Sequence, residues 1–186
     1  MQNILDKMRL YDFDYYYRLY QINNSSVPFN VLFYFLARFG IVFFFLSFIY
    51  LILNKRIKAF FCGFLAMAIA SFVDFSITLA WQRPRPYVTH ADLVNPLISG
   101  LRVSDISFPS SHTYIAFAVA ISVFLYGHKK LGSALFVLAI MVAVARVGTG
   151  LHYPSDVIGG AILGILSGVV AHIIVQKLEK GWKETT

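Results

Sequence analysis

The chain has 186 residues, of which 58% are hydrophobic and only 13% are charged, and its mean hydropathy is +0.68. A soluble domain of this length would need more polar surface, so the composition indicates an all-α integral membrane protein forming one domain, residues 1–186. The formal net charge of +7 does not indicate a nucleic-acid partner. The basic residues are spread through short connections between apolar runs and form no single polar face.

Residues 1–22 mix charges with apolar side chains at helical spacing. We expect an amphipathic helix that lies in the headgroup region of the bilayer. Its apolar face would consist of Ile4, Met8, Tyr11, Tyr15, Leu19 and Ile22. The pattern leaves open a soluble cap that packs on the loops. The segment lacks the apolar core of a signal peptide, so we do not expect it to be removed.

Five apolar segments follow, each near the roughly 20 residues that a membrane span needs. They cover about residues 30–53, 59–81, 112–127, 131–152 and 156–176. The third is short, so part of it is expected to lie in the interface. In the fifth, Gly159, Gly160, Gly164 and Gly168 fall at small-x-x-x-small spacing, which predicts close packing against another helix.

Three basic stretches lie on one side of the membrane if the five spans alternate. They are residues 54–58, 128–130 and 176–183. The positive-inside rule assigns that side to the cytoplasm. The N-terminus, the long loop 82–111 and the turn around His152 are then expected to face outward.

Polar clusters interrupt the apolar pattern at three places, and counting spans brings all three to the same membrane side. They are Arg83-Pro84-Arg85-Pro86, then Pro109-Ser110-Ser111-His112, then Arg146, His152 and Asp156. Charges at a membrane edge cost free energy unless they face water, a partner or a substrate. Pro154 should end a helix near His152, and Ser155 should cap the next helix, with Asp156 in its first turn.

These motifs resemble those of the type 2 phosphatidic acid phosphatase (PAP2) superfamily, which reads K-x6-R-P, P-S-G-H and S-R-x5-H-x3-D. The resemblance covers about residues 59–176, and Arg146-x5-His152-x3-Asp156 matches the third motif. Members are membrane lipid phosphatases, so the resemblance implies a PAP2-like helical bundle. The chain departs from the pattern at three positions, where the family has Lys, Gly and Ser. They are Thr78, Ser111 and Ala145.

Each catalytic candidate has a chemical role in phosphoryl transfer. His152 would act as the nucleophile and form a phosphohistidine. Asp156 would accept a hydrogen bond from the other ring nitrogen and fix the tautomer. His112 would protonate the leaving group and then activate water. Taken alone, His112 could be an interfacial residue and Asp156 a helix cap.

Phosphate would be bound by cations and by backbone N–H groups. Arg85 and Arg146 offer forked donors, and Arg83 is the candidate replacement for the missing lysine. Ser110 and Ser111 begin the third span, where the N–H groups and the helix dipole favour an anion. These groups can stabilise the transition state without a metal or other cofactor. His90, His112, His152 and Asp156 could be considered as zinc ligands, but they lack a compact spacing such as H-E-x-x-H, so no metal is expected.

The predicted function is hydrolysis of a terminal phosphate on a lipid at the outer face of a bacterial inner membrane. The Arg-Pro-Arg-Pro run without the lysine is similar to bacterial undecaprenyl diphosphate phosphatases, which favours that substrate. Lipid A 1-phosphate and phosphatidylglycerophosphate are the alternatives. A different class, a non-catalytic protein that binds or transports anionic lipids, would explain the arginines alone. The sequence leaves the oligomeric state open.

Overall fold

A computed structural model describes residues 2–93 and 105–185, with side chains for residues 10–93 and 105–180. Across these residues the chain is helical and contains no β-strand. The helices are α1 (Gln2–Asn24), α2 (Val27–Leu53), α3 (Ile57–Ala80), α4 (Pro86–Thr89), α5 (Ser111–Leu125), α6 (Lys129–Gly148) and α7 (Pro154–Thr185). The predicted all-α class is confirmed.

The five apolar segments are all helical, and four of them are long and apolar enough to cross a bilayer. These four are α2, α3, α6 and α7. Helix α5 has 15 residues, which corresponds to about 22 Å at the rise of an α-helix. Nearly every side chain from Thr113 to Val123 in α5 is buried, so this short helix forms the centre of the bundle. The chain is a multi-pass membrane protein.

The glycine stripe of α7 packs directly on the backbone of α5, as its spacing predicted. A Cβ atom at Gly164 would lie 2.4 Å from the carbonyl oxygen of Tyr114, which leaves no room for any side chain. A Cβ atom at Gly160 would lie 2.8 Å from the carbonyl oxygen of Ser110. This close contact fixes the first turn of α5 against the first turn of α7, which carry His112 and Asp156.

Helix α6 ends four residues before the predicted position, at Gly148. Gly150 adopts a φ of 85°, which favours glycine. Its N–H donates to the carbonyl of Val147, and the N–H of Leu151 donates to the carbonyl of Arg146. This Schellman motif, and not Pro154, therefore ends the helix.

The expected cap at Ser155 is also wrong. Helix α7 begins at Pro154, because proline is well suited to the first helical position, where its missing N–H would have no partner.

The basic connections and helix α1 lie at opposite ends of the bundle. At one end Lys58 lies 3.3 Å from Glu179, near the basic stretches. Helix α1 lies at the other end, where Tyr16 is fully buried and its ring packs 5.5 Å from that of Tyr153. Tyr11 and Tyr15, on the predicted apolar face, are 61% and 66% exposed, as a membrane-facing surface would be.

Candidate active site

His152 lies directly after the turn that ends α6, and only 1% of its surface is exposed. Its Nδ1 is 2.8 Å from the carbonyl oxygen of Ser107. Because a carbonyl oxygen can only accept, Nδ1 carries the hydrogen of the neutral ring and Nε2 keeps its lone pair. The ring is therefore fixed in the tautomer that a nucleophilic Nε2 requires.

Two guanidinium groups meet at Nε2 of His152. Arg85 Nη1 and Arg146 Nη2 each lie 3.1 Å from this nitrogen. Both are also anchored to the backbone at 3.2 Å, Arg85 through the carbonyl of Leu151 and Arg146 through that of Ala37. Donors from two sides thus surround the point next to the lone pair, an arrangement that suits the oxygens of a phosphoryl group.

The surroundings of His152 also set its charge. Burial, opposed by Asp156 and assisted by the positive charges of Arg146 and Arg85, lowers the pKa of His152 to about 3. Burial lowers the pKa of Arg85 as well, although a guanidinium stays charged at neutral pH. The site therefore combines a neutral imidazole with cationic neighbours at neutral pH.

Asp156 is fully buried, but it does not make the hydrogen bond to His152 that the sequence suggested. Its Oδ2 lies 3.7 Å from Nδ1 of His152, which is ion-pair distance and too long for a hydrogen bond. The same oxygen accepts from the hydroxyl of Ser107 and, at 2.8 Å, from the N–H of Tyr153. Ser107 therefore bridges the two residues: its carbonyl accepts from the imidazole of His152, and its hydroxyl donates to the carboxylate of Asp156.

Arg83 lies on the carboxylate side of this pair, away from the two donors at Nε2. Its Nη1 donates to Asp156 at 2.7 Å and to Ser155 at 2.5 Å, and its Nη2 donates to Asp12 at 2.6 Å. The guanidinium also lies 4.2 Å from the ring centre of Tyr153. These contacts differ from the phosphate contact expected for Arg83, and they connect α1 to the site.

The Arg-Pro-Arg run reaches both Asp156 and His152 because it pairs with the segment before α5. The N–H of Ser107 donates to the carbonyl of Arg83 at 2.7 Å, and the N–H of Arg85 donates to the carbonyl of Asp105 at 3.1 Å. Pro84 lies between these bonds, so its missing N–H costs no hydrogen bond. Side chains two residues apart on an extended chain point to the same side. Both arginines therefore point towards the site, and their different positions along the run bring Arg83 to the carboxylate of Asp156 and Arg85 to the imidazole of His152.

The start of α5 brings His112 to the site. This half-buried imidazole lies within electrostatic reach of Arg146, His152 and Arg85. The N–H of Ser110 donates to the carbonyl of Asp156 at 3.1 Å, so this amide is not available to a phosphate. The N–H groups of Ser111 and His112 precede the first intrahelical bond of α5, which makes them the amides suited to an anion.

Two residues of the site, Ser107 and Asp12, were missed from the sequence. Ser107 lies outside every motif, and only the structure shows that its carbonyl contacts His152 and its hydroxyl contacts Asp156. Asp12 shares a helix face with Tyr16, one turn away, but the sequence does not show that Tyr16 is buried, so no signal in the sequence singled out Asp12. Within the described residues, no group of three His, Cys, Asp or Glu side chains could hold a metal ion.

The model of the PAP2 superfamily matches residues 59–180. The chain belongs to this superfamily. The match includes all three motifs and the helices α3 to α7 that carry them, and it leaves α1 and α2 outside.

Individual relatives extend the comparison. The chain is 36% identical over 96 residues to the undecaprenyl-diphosphatase BcrC of Bacillus subtilis, covering 52% of this chain and 47% of that protein. It is 37% identical over 89 residues to the lipid A 4'-phosphatase of Bacteroides thetaiotaomicron, covering 47% and 39%. The chain therefore spans less than half the length of these two curated relatives. The crystal structure of Aquifex aeolicus LpxE matches with a TM-score of 0.63 and 26% identity, covering 82% of this chain and 91% of that one.

Thr78 stands where the first PAP2 motif has its lysine. Its hydroxyl donates to the carbonyl of Asp74 at 3.0 Å, one turn back in the same helix. The side chain thus contributes no cation, and Arg83, the expected substitute, is bound to carboxylates. The cations in contact with His152 are Arg85 and Arg146.

Proposed function

We propose that the chain is a metal-independent lipid phosphatase that removes a terminal phosphate, with undecaprenyl diphosphate as the favoured substrate. The observation that carries this proposal is the convergence of Arg85 and Arg146 on the unprotonated Nε2 of His152. The buried Nε of Arg146 has no hydrogen-bond partner among the described residues, so one more donor is left for a ligand. Lipid A 1-phosphate and phosphatidylglycerophosphate are the alternative substrates.

In the first step, Nε2 of His152 attacks the terminal phosphorus. The bond from phosphorus to the leaving oxygen breaks, and His112, protonated once the anionic phosphate offsets the charges of Arg85 and Arg146, gives that oxygen a proton. The product is a phosphohistidine and, from a diphosphate, the lipid monophosphate. The donors of Arg85 and Arg146 stabilise the charge that spreads over the equatorial oxygens.

In the second step, His112 takes a proton from water, and the resulting hydroxide attacks the phosphohistidine. The phosphorus–nitrogen bond breaks, inorganic phosphate leaves, and His152 regains its lone pair. One water molecule is consumed in each turnover. Nδ1 of His152 keeps its hydrogen and donates it to the carbonyl of Ser107 throughout, so the ring keeps its orientation.

The site is proposed to face outward from a bacterial inner membrane. The support is electrostatic, because the basic stretches and the Lys58–Glu179 pair lie at the end of the bundle opposite to His152. Basic connections favour the cytoplasmic side. Helix α1 would then rest in the outer headgroup region, beside the lipid headgroups that the site would bind.

The hydrocarbon chain of the substrate is proposed to lie in an apolar groove beside the site. The groove has a volume of about 510 Å³ and runs between α1, α6 and α7, with Tyr15 and Arg18 of α1 and Phe117 of α5 among its lining residues. Its walls include Val147 and Val157, which directly follow Arg146 and Asp156 in the chain. An apolar surface of this kind suits a hydrocarbon chain whose phosphate reaches the arginines.

The test is phosphate release by purified protein in detergent that contains EDTA. Undecaprenyl diphosphate, phosphatidylglycerophosphate and lipid A are offered in parallel. His152→Ala removes the nucleophile, and His128→Ala is the matched control, because His128 caps α6 at the opposite end of the bundle. We expect turnover in the wild type and the control, and none in His152→Ala.

The outcomes separate the hypotheses. Turnover that persists in His152→Ala would refute the phosphohistidine mechanism, and turnover that EDTA abolishes would refute metal independence. Absence of turnover on all three lipids, with binding retained, would favour the anionic-lipid binding protein. The ranking of the lipids identifies the substrate.

A further inference from the structure

The carboxylate of Asp12 lies where α1, α7 and the Arg-Pro-Arg run meet. Oδ1 accepts from the N–H of Ser155 at 2.9 Å, and Oδ2 accepts from the hydroxyl of Ser155 and from Arg83, each at 2.6 Å. Only 11% of the Asp12 side chain and 17% of the Arg83 side chain are exposed. An ion pair with this geometry and burial orders its partners far more than a surface pair does.

Arg83 connects Asp12 to the candidate nucleophile His152. It donates to Asp156 as well as to Asp12, so its guanidinium is held between two carboxylates. Asp156 in turn accepts from the hydroxyl of Ser107, whose carbonyl holds Nδ1 of His152. A continuous series of charged and hydrogen-bonded groups thus runs from α1 to the imidazole.

We propose that Asp12 is a positioning residue, and that through it the N-terminal helix is a functional part of the active site. The inference rests on the proposed phosphatase function. Asp12 lies outside the segment that the family model matches, residues 59–180, so it adds to the three motifs. It touches neither His152 nor the two arginines at Nε2, and it acts through Arg83.

The physical reason is the balance of charge around Arg83. With both carboxylates present, the guanidinium is shared between Asp12 and Asp156. Without the charge of Asp12, no second carboxylate opposes the pull of Arg83 on Asp156, and Arg83 draws that carboxylate away from Ser107. Small displacements of this kind reach the reacting atoms, and a shift of about 1 Å can cost about 100-fold in rate.

The experiment compares Asp12→Asn with Asp14→Asn, which removes the same charge from an exposed position of the same helix. The amide oxygen of the introduced asparagine can still accept from the N–H of Ser155, so α1 keeps that contact. We expect kcat to fall about 10- to 100-fold in Asp12→Asn while KM changes less than about twofold. Asp14→Asn should match the wild type in both constants.

A double-mutant cycle with Arg83→Gln separates positioning from a general loss of structure. If Asp12 acts through Arg83, adding Asp12→Asn to Arg83→Gln should change kcat by less than about threefold. Independent, additive losses would show that Asp12 only stabilises the fold, and would overturn the proposal. Equal kcat values for Asp12→Asn and Asp14→Asn would also overturn it.

Orthovanadate gives a readout that does not need turnover, because it can occupy the phosphoryl position next to Nε2. We expect it to raise the melting temperature of the wild type and of Asp14→Asn more than that of Asp12→Asn. An active wild type with equal shifts in both variants would refute the role of Asp12 and leave the phosphatase proposal intact. A wild type that neither releases phosphate nor responds to orthovanadate would refute both.

Discussion

Replacing His152 by glutamine tests whether the candidate nucleophile is a buried neutral base. The folded pKa of His152 is about 3, against an ordinary value of 6.5. Between these two values the unfolded chain binds a proton that the folded chain does not, so stability falls as the pH is lowered from about 6.5 towards 3. Each pH unit costs about 1.4 kcal/mol, which gives about 2 kcal/mol at pH 5. Glutamine does not titrate, so His152→Gln should lack this loss.

The assay is thermal unfolding in detergent at pH 7.5 and at pH 5. For a chain of this length, about 2 kcal/mol corresponds to roughly 4–8 °C in melting temperature. We therefore expect the wild type to lose that much more than His152→Gln between the two pH values. His128→Gln, at the other end of the bundle, controls for the general effect of losing a histidine. An equal loss in the wild type and in His152→Gln would refute the buried neutral imidazole.

Three further predictions concern the groups around the site. Arg146→Lys keeps the charge but loses the fork that joins Nε2 to the carbonyl of Ala37, so kcat/KM for phosphate release should fall about 100-fold. Ser107→Ala keeps the carbonyl on Nδ1 but removes one donor from a buried carboxylate, so chemical denaturation should show a loss of about 1–3 kcal/mol; an unchanged midpoint would contradict the bridge. Ala143→Trp fills the groove between α6 and α7, so KM should rise about tenfold for long-chain substrates. The KM of a short-chain analogue should be unaffected. An equal rise in KM for both substrates would show that the hydrocarbon chain of the substrate lies elsewhere.

The helices and the gathering of the three motifs at one end could be predicted because each rests on a strong, local signal. Runs of about 20 apolar residues have few alternatives to a membrane span. Alternation of five spans then brings residues 83–86, 109–112 and 146–156 to one side. The end of α6 was predicted too late because Pro154 was given more weight than Gly150, although a glycine just past a helix is an equally good stop signal.

The partners of Asp156 and Arg83 could not be predicted because they depend on tertiary geometry of a few tenths of an ångström. Motif spacing indicates that Asp156 comes near His152, but it does not distinguish direct contact from contact through Ser107. Arg83 and Arg85 are equivalent in the sequence, and only the pairing before α5 assigns one to the carboxylate and the other to the imidazole. Asp12 is separated from Arg83 by 71 positions, and no local pattern connects them.

Under the proposed mechanism, the arrangement at Nε2 would keep the candidate nucleophile neutral among cations. Without substrate, Arg85 and Arg146 donate to the lone pair of His152, so their buried N–H groups have an acceptor and the ring stays unprotonated. A phosphoryl group offers charged oxygens, which are stronger acceptors than a neutral imidazole nitrogen. We propose that these oxygens take over the guanidinium donors and so release the lone pair next to the phosphorus that it would attack. Binding of the phosphate and exposure of the nucleophile are then the same event, which directs the binding energy of the two arginines towards the chemical step.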